Sequence, residues 1–134
     1  MTPDELRART KQFAHRVLDR AEALPTTRTG NIVANQLGRA GTSVAANYRA
    51  ACKARSQAEF IAKVGTVEEE ADESSFWLEI TSERQLVPPR RVTPLLKESY
   101  EIVAIMGASR LTAGRNRPLP KSRTNRQSAI GNRQ

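Results

Sequence analysis

From Ser56 to Arg84 the chain reads SQAEFIAKVGTVEEEADESSFWLEITSER, a segment without proline in which apolar and small residues recur with a single period. Phe60, Val64, Val67, Ala71, Ser74 and Leu78 are separated by 4, 3, 4, 3 and 4 positions. That spacing keeps one seam of an α-helix turned toward neighbouring helices at a shallow crossing angle, whereas a strand would alternate every second residue. Ser56 followed by Glu59 supplies the start. The hydroxyl accepts from a backbone N–H of the first turn, and the carboxylate reaches back to the N–H of the capping residue. The segment therefore predicts a core helix of a bundle.

The back of this helix is not plainly polar. At about 100° per residue, Ala58, Ala62, Gly65, Phe76 and Ile80 fall opposite the seam, with Glu69 and Glu73 between them. Scattered surface apolars are one reading and a subunit interface is the other. Phe76 and Ile80, four residues apart, make one contiguous patch, which favours the interface.

Three further helices are predicted. The first runs from about Pro3 to Leu24, opened by Thr2-Pro3-Asp4-Glu5 and striped by Leu6, Phe13, Val17, Ala21 and Leu24. The second begins near Thr29 and reaches roughly Ala51, with Val33, Leu37, Ala40, Val44 and Tyr48 toward the core. Gly38, Gly41 and Ala45 lie on an adjoining side, where small residues let another helix come close. After the turn Gln85 to Arg91, the last helix starts at Thr93-Pro94, continues to about Thr112 and is ended by Gly114. Four amphipathic helices, short connections and no strand pattern imply an all-α, antiparallel, up-down-up-down four-helix bundle over residues 1–113. Residues 114–134 have almost no apolar content and are expected to form a disordered basic tail.

Charge is arranged by segment. The chain carries a net charge of +8, but six cations (Arg115, Arg117, Lys121, Arg123, Arg126, Arg133) lie in the tail with no acid among them. Between Ala23 and Ala58 there are five basic residues and no acidic one, while Ser56–Arg84 holds eight acids and two bases. On the second helix Asn35, Arg39, Thr42, Ala46, Arg49 and Lys53 form a polar and basic stripe. It is either a solvated face or one that pairs with the acids of the third helix.

Chemistry for catalysis is sparse. His15 is the lone histidine and lies off the apolar stripe of its helix, so it is expected to face solvent. Cys52 is the lone cysteine, without disulfide partner or CxxC motif, and reads as an idle or buried thiol. The carboxylates Glu68–Glu73 lack the Glu-x-x-His pairs of a di-metal bundle site. No phosphate loop is present. Neither an active site nor a cofactor or metal site is expected. The N-terminus has no apolar signal region and the longest apolar run is Ile102–Met106, so the reading is a cytoplasmic protein without a membrane span.

Two blocks, QLGRAGTSVAANYRAAC (Gln36–Cys52) and ARSQAEFIAKVGTVEEEADESSFWLE (Ala54–Glu79), resemble the bacterial 23S rRNA intervening-sequence proteins, some of them called S23. Gln36-Leu37, Arg39, Ser43, Ala46-Asn47, Ser56, Glu59-Phe60, the Glu69–Glu73 run and Trp77-Leu78 carry the likeness, which covers about residues 10–113. It implies an antiparallel four-helix bundle assembling into a ring-like homo-oligomer, commonly a pentamer, with no catalytic residues. The tail lies outside it.

The sequence-level expectation is thus a non-enzymatic homo-oligomer that binds structured RNA or DNA. Arg49, Lys53, Arg55, Arg115, Arg117, Lys121, Arg123 and Arg126 are the candidate nucleic-acid contacts. Arg39, Glu69, Glu73, Phe76 and Ile80 are the candidate oligomer interface, with Arg39 more structural than phosphate-binding. The alternative is an oligomeric protein-interaction scaffold with no nucleic-acid role.

Overall fold

The computed structural model describes residues 1–115. Over this range it holds four α-helices: α1 (Pro3–Glu22), α2 (Arg28–Ala51), α3 (Gln57–Glu83) and α4 (Thr93–Arg115). A short 3-10 turn at Pro89–Arg91 precedes α4. There is no strand among the described residues, and no helix there is long and apolar enough to cross a membrane. Residues 116–134, which include the candidate contacts Arg117, Lys121, Arg123 and Arg126, lie outside the described range.

Each helix begins where its capping chemistry dictates. At α1 the Thr2 hydroxyl accepts from the Glu5 N–H (3.1 Å) and the Glu5 carboxylate accepts from the Thr2 N–H (2.8 Å), a complete capping box that also holds the Glu5 pKa below its usual range. At α2 Thr27 caps Gly30, so the helix starts at Arg28. The start of α3 differs in one atom from the expected box. Ser56 accepts from Glu59, but the Glu59 carboxylate takes the N–H of Arg55, one residue further back.

The predicted seam of α3 is the centre of the core. Val64, Val67, Ala71, Ser74 and Leu78 have no exposed surface, and only Phe60, at the helix start, is half-buried. They pack with Phe13 and Val17 of α1, Leu37 and Val44 of α2, and Ile102 and Met106 of α4. The buried hydroxyls are satisfied locally: Ser74, Ser75 and Thr81 donate to carbonyls four residues back, and Thr10 to one three back. Ser75 and Ser99 also meet each other across α3 and α4 at 2.8 Å.

The helix pairings follow chain order. On α3 and α4, Gln57 reaches the Ala113 carbonyl, Glu68 reaches Arg110, and Ser75 reaches Ser99. The α1–α2, α2–α3 and α3–α4 seams are extensive, and the α1–α4 seam is much thinner. Between α1 and α2 the approach is set by Gly41, where a Cβ would lie 2.6–2.8 Å from three carbons of Val17. Gly38, grouped with it on sequence grounds, has no such role: its nearest neighbour would be Leu18 Cδ2 at 3.9 Å.

The helix ends depart from expectation in small ways. Helix α1 stops at Glu22, and Leu24 plugs the core from the following turn. Helix α3 ends in Gln85, a non-glycine residue at φ 53, with the Leu86 N–H bonded to the Thr81 carbonyl. Gly114 does not end α4, which continues to Arg115; Ala113 is buried and its carbonyl is held by Gln57, so this turn is fixed from outside.

Candidate nucleic-acid interface

The two halves of the bundle carry opposite charge: residues 1–55 sum to +6 and residues 56–115 to −3. Much of the positive charge is neutralised across the seams. Arg9 of α1 forks onto Glu98 with two bonds of 2.7 Å and onto Glu101 with a third, which raises its pKa through the hydrogen bonds to Glu98. Arg39 of α2 pairs with Glu73 and Glu70 of α3, and the Glu73 hydrogen bond raises its pKa as well. Arg110 of α4 meets Glu68 of α3 at 2.9 Å.

The α1–α2 seam has no cross-helix ion pair among the described residues. There Arg7 and Lys11 of α1 stand opposite Arg49 of α2 and Lys53 of the turn that follows it, and these four side chains line a cleft of about 360 Å³ with no carboxylate among them. Arg7 and Lys11, four residues apart on α1, lie on one face about 6 Å apart along the axis, and Arg49 on the last turn of α2 is followed by Lys53 in the turn beyond it. Arg7 also pairs with Asp4 at the exposed start of α1. Arg49 and Lys53 were legible from the basic stripe of α2. Arg7 and Lys11 were missed because the repeat of the i, i+4 cation pair on another helix was the only signal.

Arg55 sits in the α2–α3 turn at the mouth of a second cleft, about 410 Å³, floored by Tyr48, Cys52 and Phe60. The Cys52 thiol is half-buried against the Tyr48 hydroxyl, and burial followed by this contact pushes the tyrosine up to about 12. His15 is exposed. Arg115, at the end of α4, is exposed too. Among the described residues no group of His, Cys, Asp or Glu side chains is arranged to hold a metal ion.

The candidate interface residues do not form one patch. Arg39 and Glu73 lie on the α2 side of α3, bonded to each other within the chain rather than left for a neighbour. Glu69 lies on the α4 side, in a cleft with Gly65, Asp72 and Val103. Ile80 is half-buried and packs on the core. Phe76 remains outward, 50% exposed and edge-on to Trp77 at 4.9 Å. Tyr100 of α4 is a second exposed aromatic, 48% exposed, whose hydroxyl donates to Glu79 of α3. Asp72, Glu79 and Glu83 share this edge of α3, so Tyr100 has an acidic rim.

A solved structure from Bacteroides thetaiotaomicron VPI-5482, a protein with unknown function from the S23 ribosomal protein family, is similar over 75% of this chain and 93% of its own. The sequence identity is 28% and the TM-score 0.70. No curated protein matches. The family model described as 23S rRNA-intervening sequence protein matches residues 5–108, and with the four helices in place the chain belongs to that family.

Proposed function

We propose that this protein is a non-enzymatic, homo-oligomeric bundle that binds structured nucleic acid through the α1–α2 face. The observation that carries this reading is the cleft lined by Arg7, Lys11, Arg49 and Lys53 without a carboxylate. Cations elsewhere on the bundle that face acids are tied up in seams, whereas Lys11, Arg49 and Lys53 have no carboxylate partner among the described residues and Arg7 pairs only with Asp4 of its own helix. No exposed aromatic lines the cleft, so contacts to the backbone of a folded or double-stranded nucleic acid fit better than stacking on single-stranded bases. The family's name refers to 23S rRNA, which makes structured RNA the first ligand to test. The tail beyond Arg115 adds five cations in sequence.

Self-association would use the opposite half. Phe76 of α3 and Tyr100 of α4, each half-exposed, with acids around Tyr100, offer aromatic surface suited to a second copy. This division leaves the basic cleft open in the assembly.

The test is binding of full-length protein and an Arg49→Glu, Lys53→Glu variant to a short RNA duplex, by fluorescence anisotropy across a salt series. Affinity should fall steeply with salt for the parent. The variant should bind at least tenfold more weakly with a shallower slope, because each lost phosphate contact removes about one unit of it. Equal affinity and slope in the two proteins would reject the cleft as the interface, and absence of binding by both would favour a protein-interaction scaffold.

A further inference from the structure

A second cationic notch lies where the C-terminal half of α1 meets the start of α4. Arg16 and Arg20, four residues apart on α1, and Arg91, from the 3-10 turn, line a cleft of about 220 Å³ closed by Pro94 and Leu95. Asp19 stands at the same cleft and is exposed. None of the three guanidinium groups has a carboxylate partner among the described residues, Asp19 included. This sets them apart from Arg9, Arg39 and Arg110.

Arg20 adds the observation that points to a ligand. Its Nε is buried and has no hydrogen-bond acceptor among the described residues. A buried charged donor without an acceptor is costly, and such groups in native proteins are commonly met by water or a bound ion. The described residues, Asp19 included, do not supply that acceptor. The first turn of α4 closes the notch, so the positive end of that helix dipole lies there too.

We infer that this notch binds a phosphate group. Three arginines and one aspartate leave a charge of +2, which matches the −1.5 to −2 of a phosphate monoester near neutral pH (a range of about half a charge). Guanidinium forks match its paired oxygens, which a spherical anion such as chloride does not offer. The space admits one such group with a few waters, at roughly 30 Å³ per water. The phosphate comes either from a free anion or from the terminal phosphate of a nucleic acid. The notch is separate from the Arg7–Lys11–Arg49–Lys53 cleft and stands or falls independently of it.

The experiment follows the arginine Nε–Hε resonances of the full-length, isotope-labelled protein by NMR. Inorganic phosphate is titrated at constant ionic strength, with chloride as the counter-titration. The Arg20 signal should shift and saturate with phosphate but not with chloride. Arg91→Gln, at an exposed position, should weaken the phosphate response at least fivefold while leaving the rest of the spectrum in place. A linear, unsaturated response, or one unchanged in Arg91→Gln, overturns the inference. RNA duplexes with a 5′-phosphate and with a 5′-hydroxyl then identify the source. Preferential displacement of inorganic phosphate by the phosphorylated end assigns the notch to a nucleic-acid terminus, and equal behaviour assigns it to a free phosphate.

Discussion

Alanine at position 41 should loosen the bundle, and alanine at position 38, one turn away on the same helix, should tighten it. A Cβ on Gly41 would sit 2.6, 2.7 and 2.8 Å from Cγ1, Cγ2 and Cβ of Val17, against about 3.5–4.0 Å for a relaxed carbon contact. Val17 is fully buried and β-branched, so its side chain has essentially one rotamer in a helix and its Cβ cannot rotate away. The two helices must therefore separate by up to about 1 Å at their closest point. Overpacking of this kind costs about 1–3 kcal/mol, and the helix propensity gained by replacing glycine returns about 1 kcal/mol, leaving a net loss of up to about 2 kcal/mol. At Gly38 the new methyl would meet only Leu18 Cδ2 at 3.9 Å, so the propensity gain of about 1 kcal/mol survives. Urea unfolding followed by circular dichroism at fixed protein concentration measures both, with the slope m required to stay constant. Adding Val17→Ala to Gly41→Ala should cost less than the two single changes summed, because the clash disappears. If Gly41→Ala stabilises as much as Gly38→Ala, the close approach of α1 and α2 is not what this glycine provides.

Two further outcomes are expected. Gln85, at φ 53, holds a left-handed conformation that disfavours any side chain; Gln85→Gly should raise stability by about 0.5–1 kcal/mol after the flexibility it adds to the unfolded chain, and a loss in the same urea assay would contradict this. The hydrogen bond to Glu79 pushes the Tyr100 phenol up to about 12, and burial does the same for Tyr48. Because the folded pKa of Tyr100 lies above the ordinary value of about 10, the contribution of its neutral hydroxyl is complete below pH ~10 and lost as pH rises toward ~12. Phenolate absorbance should accordingly appear late, and Glu79→Gln should move one of the two tyrosine transitions back toward its ordinary position; an unchanged titration would show that the carboxylate is not the cause.

The helices and the core were legible in the sequence because they follow from periodicity and caps, which are local. The seam from Val64 to Leu78 is buried as its spacing requires, and Thr2, Ser56 and Thr93 sit at or beside their helix starts. Properties that depend on which helix faces which were not legible. Gly38 and Gly41 look alike in sequence, and only the position of Val17 separates them. Ile80 and Phe76 share a nominal face of α3, yet Ile80 packs on the core while Phe76 stays half-exposed. Arg7 and Lys11 join Arg49 and Lys53 only through folding, and the notch of Arg16, Arg20 and Arg91 draws on segments far apart in the chain. Charge pattern indicated that the second and third helices could pair; it could not show that Arg39 would find Glu70 and Glu73 of its own chain.

The thin α1–α4 seam bears on how the chain reaches this fold. The three broad seams join helices adjacent in sequence, so most contacts can form as short loops close, at modest entropic cost and with the rapid kinetics of local topology. Only the first and last helices must find each other across the length of the domain, and their polar clasp is Arg9 on Glu98 and Glu101. The molecule can thus be regarded as a strip of three successive hinges whose ends are buckled together by one arginine. Contact formation in order of loop length would bring α1 to α4 last.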